Sequence, residues 1–475
     1  MRRLPGGSPR PATVVLAVAL VSACGDGSSP SGPGPGNRAP VAQASIPPQR
    51  VDAGDTISIG VAPFFTDPDG DALTYAAATS NRGVSTASAS GSTVKVVGVA
   101  GGTATITVIA TDPGGLSARQ PMTVDVSASE AFTALLGGFV EQHGIGAAAL
   151  GIMRNGDIIY EGAAGFMDPG RRVPVASDVM MRIASVTKPI TAAAIRKLAA
   201  DGKLALGDRV FDMGQAGGGL LSLEPFPRPG DPALGQITVE HLLRHRAGWD
   251  RDIAPDWVFR EIAIAAEMSV RSPPGRENMV RYILGQPLQF RPGTRRAYSN
   301  IGYLVLGLIV EKVSGQDYLS YVRENIFAPL GVPVGDVILG RTFPRDRDPR
   351  EPWYQGPIGA RNVFDPSGPR VPWPDGGWHH EAKVGHGGLV ASTRALLEFL
   401  DAYQVAGDDI GSPRSKPEAA GWHWYHTGNL AGTNALAYQR GSGINYVVLF
   451  NRRSRSDPSY VTQFMELLQR ELTIP

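Results

Sequence analysis

Near Ser127 the hydrophobic period of this chain changes from two residues to about 3.6, so no single sheet or helical bundle can satisfy both sides of that point. Before it, short runs rich in Val, Thr, Ile and Ala recur at Thr56 to Val61, Ala72 to Ala76, Thr93 to Val97, Ala104 to Ala110 and Met122 to Val126. The clusters Asp67-Pro68-Asp69-Gly70-Asp71 and Asp112-Pro113-Gly114-Gly115 separate them. Alternating strands with such turns predict a small antiparallel β-sandwich over residues 41–127. After it, Phe132, Leu135, Leu136, Phe139 and Val140 recur at helical spacing, with a stop expected near Gly144. Ala147 to Met153 and Ile158 to Ala163 flank Asn155-Gly156, a hairpin signal. Three more strands are expected at Trp422 to His426, Asn434 to Gln439 and Asn445 to Asn451, then a helix carrying Val461, Phe464, Met465, Leu467, Leu468 and Leu472. Sheet elements thus bracket a long, mostly helical middle, which predicts an α+β domain over residues 130–475 whose sheet both ends complete.

The N-terminal region reads as export and tether. Arg2, Arg3 and Arg10 precede the apolar run Ala12 to Ala23, which is too short to span a bilayer and has the form of a secretory signal, residues 1–23. Val21-Ser22-Ala23-Cys24 resembles a bacterial lipobox, implying a lipidated Cys24 as a membrane anchor; the rival is an ordinary signal with a chance cysteine. Residues 24–40 form a Gly/Ser/Pro spacer. Cys24 is the sole cysteine, which excludes an intrachain disulfide, zinc ribbon or iron–sulfur cluster. Lys and Arg number 45 against 44 Asp and Glu, so nothing favours nucleic acid as a partner. The sandwich resembles immunoglobulin-like or cadherin-like modules of bacterial surface proteins, which implies cell-surface contacts. Asp67, Asp69 and Asp71 could offer oxygens to calcium, but a tight turn needs the same residues and is the stronger reading. His379-His380 and the pair His423 and His426 lack a third ligand at zinc spacing, and no cofactor is expected.

The run Arg182-Ile183-Ala184-Ser185-Val186-Thr187-Lys188-Pro189 opens a helix and sets Ser185 and Lys188 three apart on one face. A serine hydroxyl needs a base, and a desolvated lysine can serve as one. By itself Ser-x-x-Lys is common, and a capping serine beside a solvated lysine explains it equally. Two further pieces change the balance: Tyr298-Ser299-Asn300, on a loop before an apolar helix, and His426-Thr427-Gly428, at the expected end of a strand. In order and approximate separation the three match the motifs of the serine β-lactamase and penicillin-binding-protein superfamily. The resemblance is to its class C β-lactamase and DD-carboxypeptidase branch, where Tyr-x-Asn is the second motif, and the segments Ile237 to His245 and Gly385 to Ser392 support it.

That resemblance implies a multidomain chain: an all-β sandwich plus an α+β β-lactamase-like domain, its antiparallel sheet flanked by helices and joined to a mostly helical subdomain. It makes Ser185 the acylated nucleophile, Lys188 its proton acceptor or relay, and Tyr298 the group exchanging protons with Ser185 and the leaving group. Asn300 would orient the substrate amide, the backbone N–H groups of Ser185 and Asn429 would form an oxyanion hole, and Gly428 would let the acyl chain lie along the strand beside His426 and Thr427. His426 stands where β-lactamases usually carry lysine, which argues against efficient antibiotic hydrolysis. His241, His245 and His386 are expected to pack rather than react. The expected substrates are D-alanyl peptides of peptidoglycan first, small esters or D-amino-acid amides second and β-lactams third. The rival is a wall-binding or adhesion protein on an inactive hydrolase fold, against which the intact Ser185, Lys188 and Tyr298 speak.

Overall fold

The computed structural model describes residues 36–471, apart from 54, 100, 416–420, 442 and 454–458. The signal segment, Cys24 and Leu472 lie outside the described residues. In the N-terminal module a four-stranded sheet runs Gln49–Asp52, Ser117–Ser127, Gly102–Thr111, Thr74–Thr79, and a three-stranded one runs Thr56–Gly60, Thr93–Gly98, Ser85–Ser90. Alternate residues of Gly102–Thr111 point inward, and Ile106, Val108, Val94, Val96 and Val124 fill the space between the sheets with no exposed surface.

Two strands depart from the expected pattern. Gln49–Asp52 pairs parallel to Val124–Ser127, so the sandwich is not wholly antiparallel. Ser85–Ser90, with the sequence STASAS, alternates only in small side chains and carries too little hydrophobicity to be recognised, yet it pairs along its whole length with Thr93–Gly98. In the turn, the Asp67 carboxylate accepts the Asp69 N–H at 2.8 Å, and Asp69 pairs with Arg38 at 2.9 Å. These two carboxylates are thus committed to closing the loop and to Arg38.

Helix α1 (Ser129–Gln142) leads into strands β1 (Ala147–Arg154) and β2 (Asp157–Gly165), joined where Asn155 and Gly156 both take positive φ. At the other end of the chain come β3 (His423–Leu430), β4 (Thr433–Arg440) and β5 (Ile444–Phe450), and the antiparallel sheet order is β2–β1–β5–β4–β3. The two ends of the domain therefore interleave, with β1 hydrogen-bonded to β5 from Ala148 to Arg154. Both faces are covered. Ala148, Leu150 and Ile152 of β1 face α1 and the last helix, Tyr460–Glu471, whereas Ala147, Ala149 and Met153 face the larger helical side. This is why β1, β4 and β5 read as continuous apolar runs. A Cβ on Gly151 would lie 2.9 Å from Thr393 and Leu397, so glycine lets helix Thr393–Ala402 approach the sheet.

Strand β3 is an edge strand and runs on to Leu430, placing His426-Thr427-Gly428 in mid-strand and not at its end. Its exposure comes from the missing neighbour on one side.

Candidate active site

A small sheet starts the construction. Met181–Arg182 pairs with Leu389–Ala391, and Ile183 N–H continues the ladder to Leu389 O at 3.1 Å. The chain then turns through Ala184, held at φ +47°, a left-handed conformation that costs a non-glycine residue about 1–3 kcal/mol and persists only where surroundings enforce it. Here Ala184 is fully buried against Trp378 and Leu430. A Cβ on Gly428 would collide with Ile183 O, so the glycine lets β3 lie against the nucleophile turn. Its bare side faces that turn, where the family pattern had placed an acyl chain. Beneath, buried Arg182 stacks on the Tyr354 ring at 4.2 Å and donates to Pro374 O and Arg341 O at 2.8 and 2.7 Å. The Tyr354 hydroxyl accepts Arg182 N–H at 2.8 Å and donates to Glu351 at 2.7 Å.

A single 3₁₀ turn, Ala184–Val186, carries Ser185 into helix α2 (Thr187–Ala200). Lys188 is wholly buried, and its Nζ donates to Ser185 Oγ at 3.1 Å, Asn300 Oδ1 at 2.7 Å and His386 O at 2.6 Å. Three acceptors match the three donors of an ammonium. Burial nevertheless pulls the lysine below its ordinary pKa, against the opposing fields of Tyr298 and Asp256, and so favours the amine that can take a proton from Ser185.

Asn300 is the first residue of helix α3 (Asn300–Ser314), which Ser299 caps through a 3.1 Å bond from Gly302 N–H. Its amide is held on both sides, Oδ1 by Lys188 and Nδ2 by Asp256 Oδ2 at 2.6 Å. That makes Asn300 a brace for Lys188, and the same side chain borders the cleft beside Ser185. Tyr298 is half-buried, its ring 4.7 Å from that of His245, 5.0 Å from Lys188 Nζ and 4.5 Å from the Arg251 guanidinium. His245 in turn accepts Ser299 N–H at 3.1 Å and stacks on Tyr303, so it fixes the tyrosine segment. His241 closes a capping box with Thr238. Both packing roles agree with the expectation for these two histidines.

His426 and Thr427 line a pocket of about 220 Å³ with Tyr298, His245 and Arg296. Burial, then the charges of Lys188 and Arg296, push His426 down to about 3, so the ring is neutral at physiological pH. Ser185, Asn300 and Asn429 border a second cleft of about 260 Å³. Trp424 and Tyr425 are exposed, and only Tyr425 reaches the first pocket. Among the described residues no group of three or more His, Cys, Asp or Glu is placed to hold a metal ion.

Sequence reading missed Arg251, Asp256, Phe259, Trp378, Lys383 and Arg296. Most lie in irregular segments with no period, and the tertiary fold alone brings them to the serine.

A five-stranded antiparallel sheet completed from both chain ends, with a Ser-x-x-Lys pair whose lysine is buried and lies beside Tyr298 of a second segment, defines the active-site-serine hydrolases of the β-lactamase and penicillin-binding-protein superfamily. Residues 132–469 match the family model described as Beta-lactamase, and the chain belongs to that family. Residues 37–125 match the model of a bacterial Ig domain. Esterase EstB of Burkholderia gladioli is 34% identical over 196 residues, 40% of this chain and 47% of that protein. A penicillin-binding protein of Bacillus subtilis is 28% identical over 198 residues, 41% of this chain and 38% of that one. The chain thus matches less than half the length of either. Two solved structures share the fold: the octameric penicillin-binding protein homologue from Pyrococcus abyssi (TM-score 0.50, 23% identity, 72% of this chain and 76% of that chain) and D-amino acid amidase from Ochrobactrum anthropi SV3 (TM-score 0.51, 20% identity, 72% and 99%).

Proposed function

We propose that this chain is an extracytoplasmic serine hydrolase, tethered through Cys24, that acts through an acyl-enzyme on Ser185, with D-alanyl peptides as its first substrate class and small esters or amides as the second. The observation that carries the reaction is the buried Lys188 amine, 3.1 Å from Ser185 Oγ and braced by Asn300 and His386 O. With the amine unprotonated that contact reverses, and the serine O–H donates to Nζ. Oγ then attacks the substrate carbonyl carbon while Lys188 takes the proton. Tyr298, beside the same amine, hands a proton to the leaving group as its bond breaks, leaving an ester on Ser185. Water enters along the reverse path and regenerates the serine. For the leaving-group side, the pocket of Thr427, His426 and Arg296 is lined also by Arg244, paired with Glu240 at 3.1 Å, and by the carboxylate of Asp408, beside a neutral imidazole; this supports a modest carboxylate site rather than a strong one. The likeness to esterase EstB favours esters as the second class.

The test is to incubate the protein with a D-Ala-D-Ala peptide, a chromogenic ester and a fluorescent penicillin, with Ser185→Ala as control and intact mass as readout. Turnover of peptide or ester with an adduct on Ser185 is expected; equal turnover in Ser185→Ala would refute the nucleophile. For the tether, Cys24→Ser should abolish lipid labelling, and undiminished labelling rejects it.

A further inference from the structure

The cleft on the Asn429 side of Ser185 is lined by three cations, Arg251, Lys383 and Arg453, and by no carboxylate among the described residues. None of the three forms an ion pair among the described residues. The most informative is Lys383, 1% exposed, whose ammonium lies 4.5 Å from the Phe259 ring centre and 5.7 Å from that of Trp378, with a single hydrogen bond, to Val258 O at 3.1 Å. An ammonium has three donors, so this one retains hydrogen-bonding capacity beyond that bond. Its neighbouring carboxylate Glu261 is turned instead to the His379 N–H, at 3.2 Å. A second orphan shares the cleft: His386 is 2% exposed, and neither ring nitrogen has a hydrogen-bond partner, although its carbonyl holds Lys188. Burial pulls Lys383 down as it does Lys188, against the fields of Glu261 and Asp256, and a carboxylate brought beside it would favour the ammonium. A buried amine and a buried imidazole left short of partners are costly unless something completes them. Phe259, Trp378 and Leu430 supply apolar wall to the same cleft.

We propose that this cleft is the acyl-side subsite and that it selects acyl groups with an apolar stem ending in a carboxylate, which Lys383 and His386 bind. The assignment rests on the hydrolase reading above: Tyr298, which protonates the leaving group, lines the pocket of His426 and Thr427 and not this cleft, so the leaving group takes that pocket and the acyl group this one. Specificity follows from the asymmetry of buried polar sites. A substrate with the carboxylate satisfies Lys383 and His386, whereas its neutral analogue leaves both unpaired in a poorly solvated wall.

The experiment compares the 4-nitrophenyl monoester of glutaric acid, its other carboxylate free, with the corresponding methyl 4-nitrophenyl diester. For the full-length protein kcat/KM should favour the free acid at least tenfold, and Lys383→Met should lower that ratio at least tenfold, with Arg453→Ala, at the exposed rim, lowering it less. Thermal unfolding checks that Lys383→Met is folded. Independently of turnover and of that variant, calorimetry on Ser185→Ala should show glutarate binding at least tenfold tighter than dimethyl glutarate. Equal binding of the two, or an unchanged ratio in folded Lys383→Met, overturns the subsite. An acyl adduct from the methyl diester without any preference for the free acid would overturn the subsite and leave the hydrolase reading standing. If neither ester is turned over, the peptide and penicillin assays above decide the hydrolase reading, and calorimetry still decides whether the cleft binds a carboxylate.

Discussion

The sandwich and the hydrolase domain bury very different things. Between the sheets of the first lie Val, Ile, Ala, Met and Phe side chains, and its buried polar residues, among the described residues, are Ser85, Asp112 and Gln120. Inside the second are Arg182, Lys188, Lys383, Glu261, Glu351, His245, His380 and His386. Burying an ionisable group opposes folding unless it is partnered, so the hydrolase domain carries a larger free-energy cost than the sandwich, where Asp112 is buried and accepts from Asn37. The difference teaches where chemistry is located: strained Ala184, the desolvated lysine and the unpartnered imidazole all lie within reach of one serine.

The sharpest way to break that contrast is to remove the nucleophile. Ser185→Ala should leave only residual turnover, and adding Lys188→Ala should cost little more, because the two act as one unit. Additive losses, measured as kcat/KM, would separate them. Next, Tyr298→Phe should lower acylation by about 10²–10⁴-fold, the range for general acid–base catalysis. A loss confined to KM would make the tyrosine a binding group.

Acid should act on one module only. His245, His380 and His386 are held well below their ordinary value by burial, so the folded domain keeps them neutral while the unfolded chain takes up protons below about pH 6.5. Their contribution is complete above that pH and falls away as pH drops. Buried Glu261 and Glu351, pushed upward, act in the opposite sense but are fewer. All eight histidines follow residue 142, so calorimetry between pH 7 and 5 should show the hydrolase transition moving down in temperature and the sandwich transition staying. Parallel movement of both would break the comparison.

His426→Lys places a fixed charge where the native ring is neutral, and should shift the ratio of β-lactam to neutral ester turnover toward β-lactams, read as paired kcat/KM values. An unchanged ratio rejects a specificity role for His426. The smallest effect is expected from shortening the chain to begin at Ser127: the sandwich core closes within residues 46–126, so turnover of soluble substrates should persist. A folded but inactive product would show that the sandwich contributes to the site.

Local grammar made much of this legible. Alternation marked most sandwich strands, Asn155-Gly156 marked the hairpin, and the Ser185–Lys188 spacing anticipated a contact the helix turn produces. What escaped was weakly patterned or non-local. STASAS lacks bulk, and Gln49–Asp52 gains its parallel partner from 75 residues away. The role of Asn300 depends on Asp256, and that of Gly428 on Ile183, pairs far apart in the chain.

By itself, then, the order of residues determined the module break, the periods of the elements and the three chemical motifs, because each depends on neighbours within a few residues or a turn. Tertiary structure alone decided that Asn300 braces a lysine, that Gly428 makes room for the nucleophile turn, and that Lys383 and His386 share a cleft with Ser185. Those roles follow from which surfaces meet when two ends of a chain complete one sheet, and desolvation, which makes such groups reactive or selective, exists only once they have met.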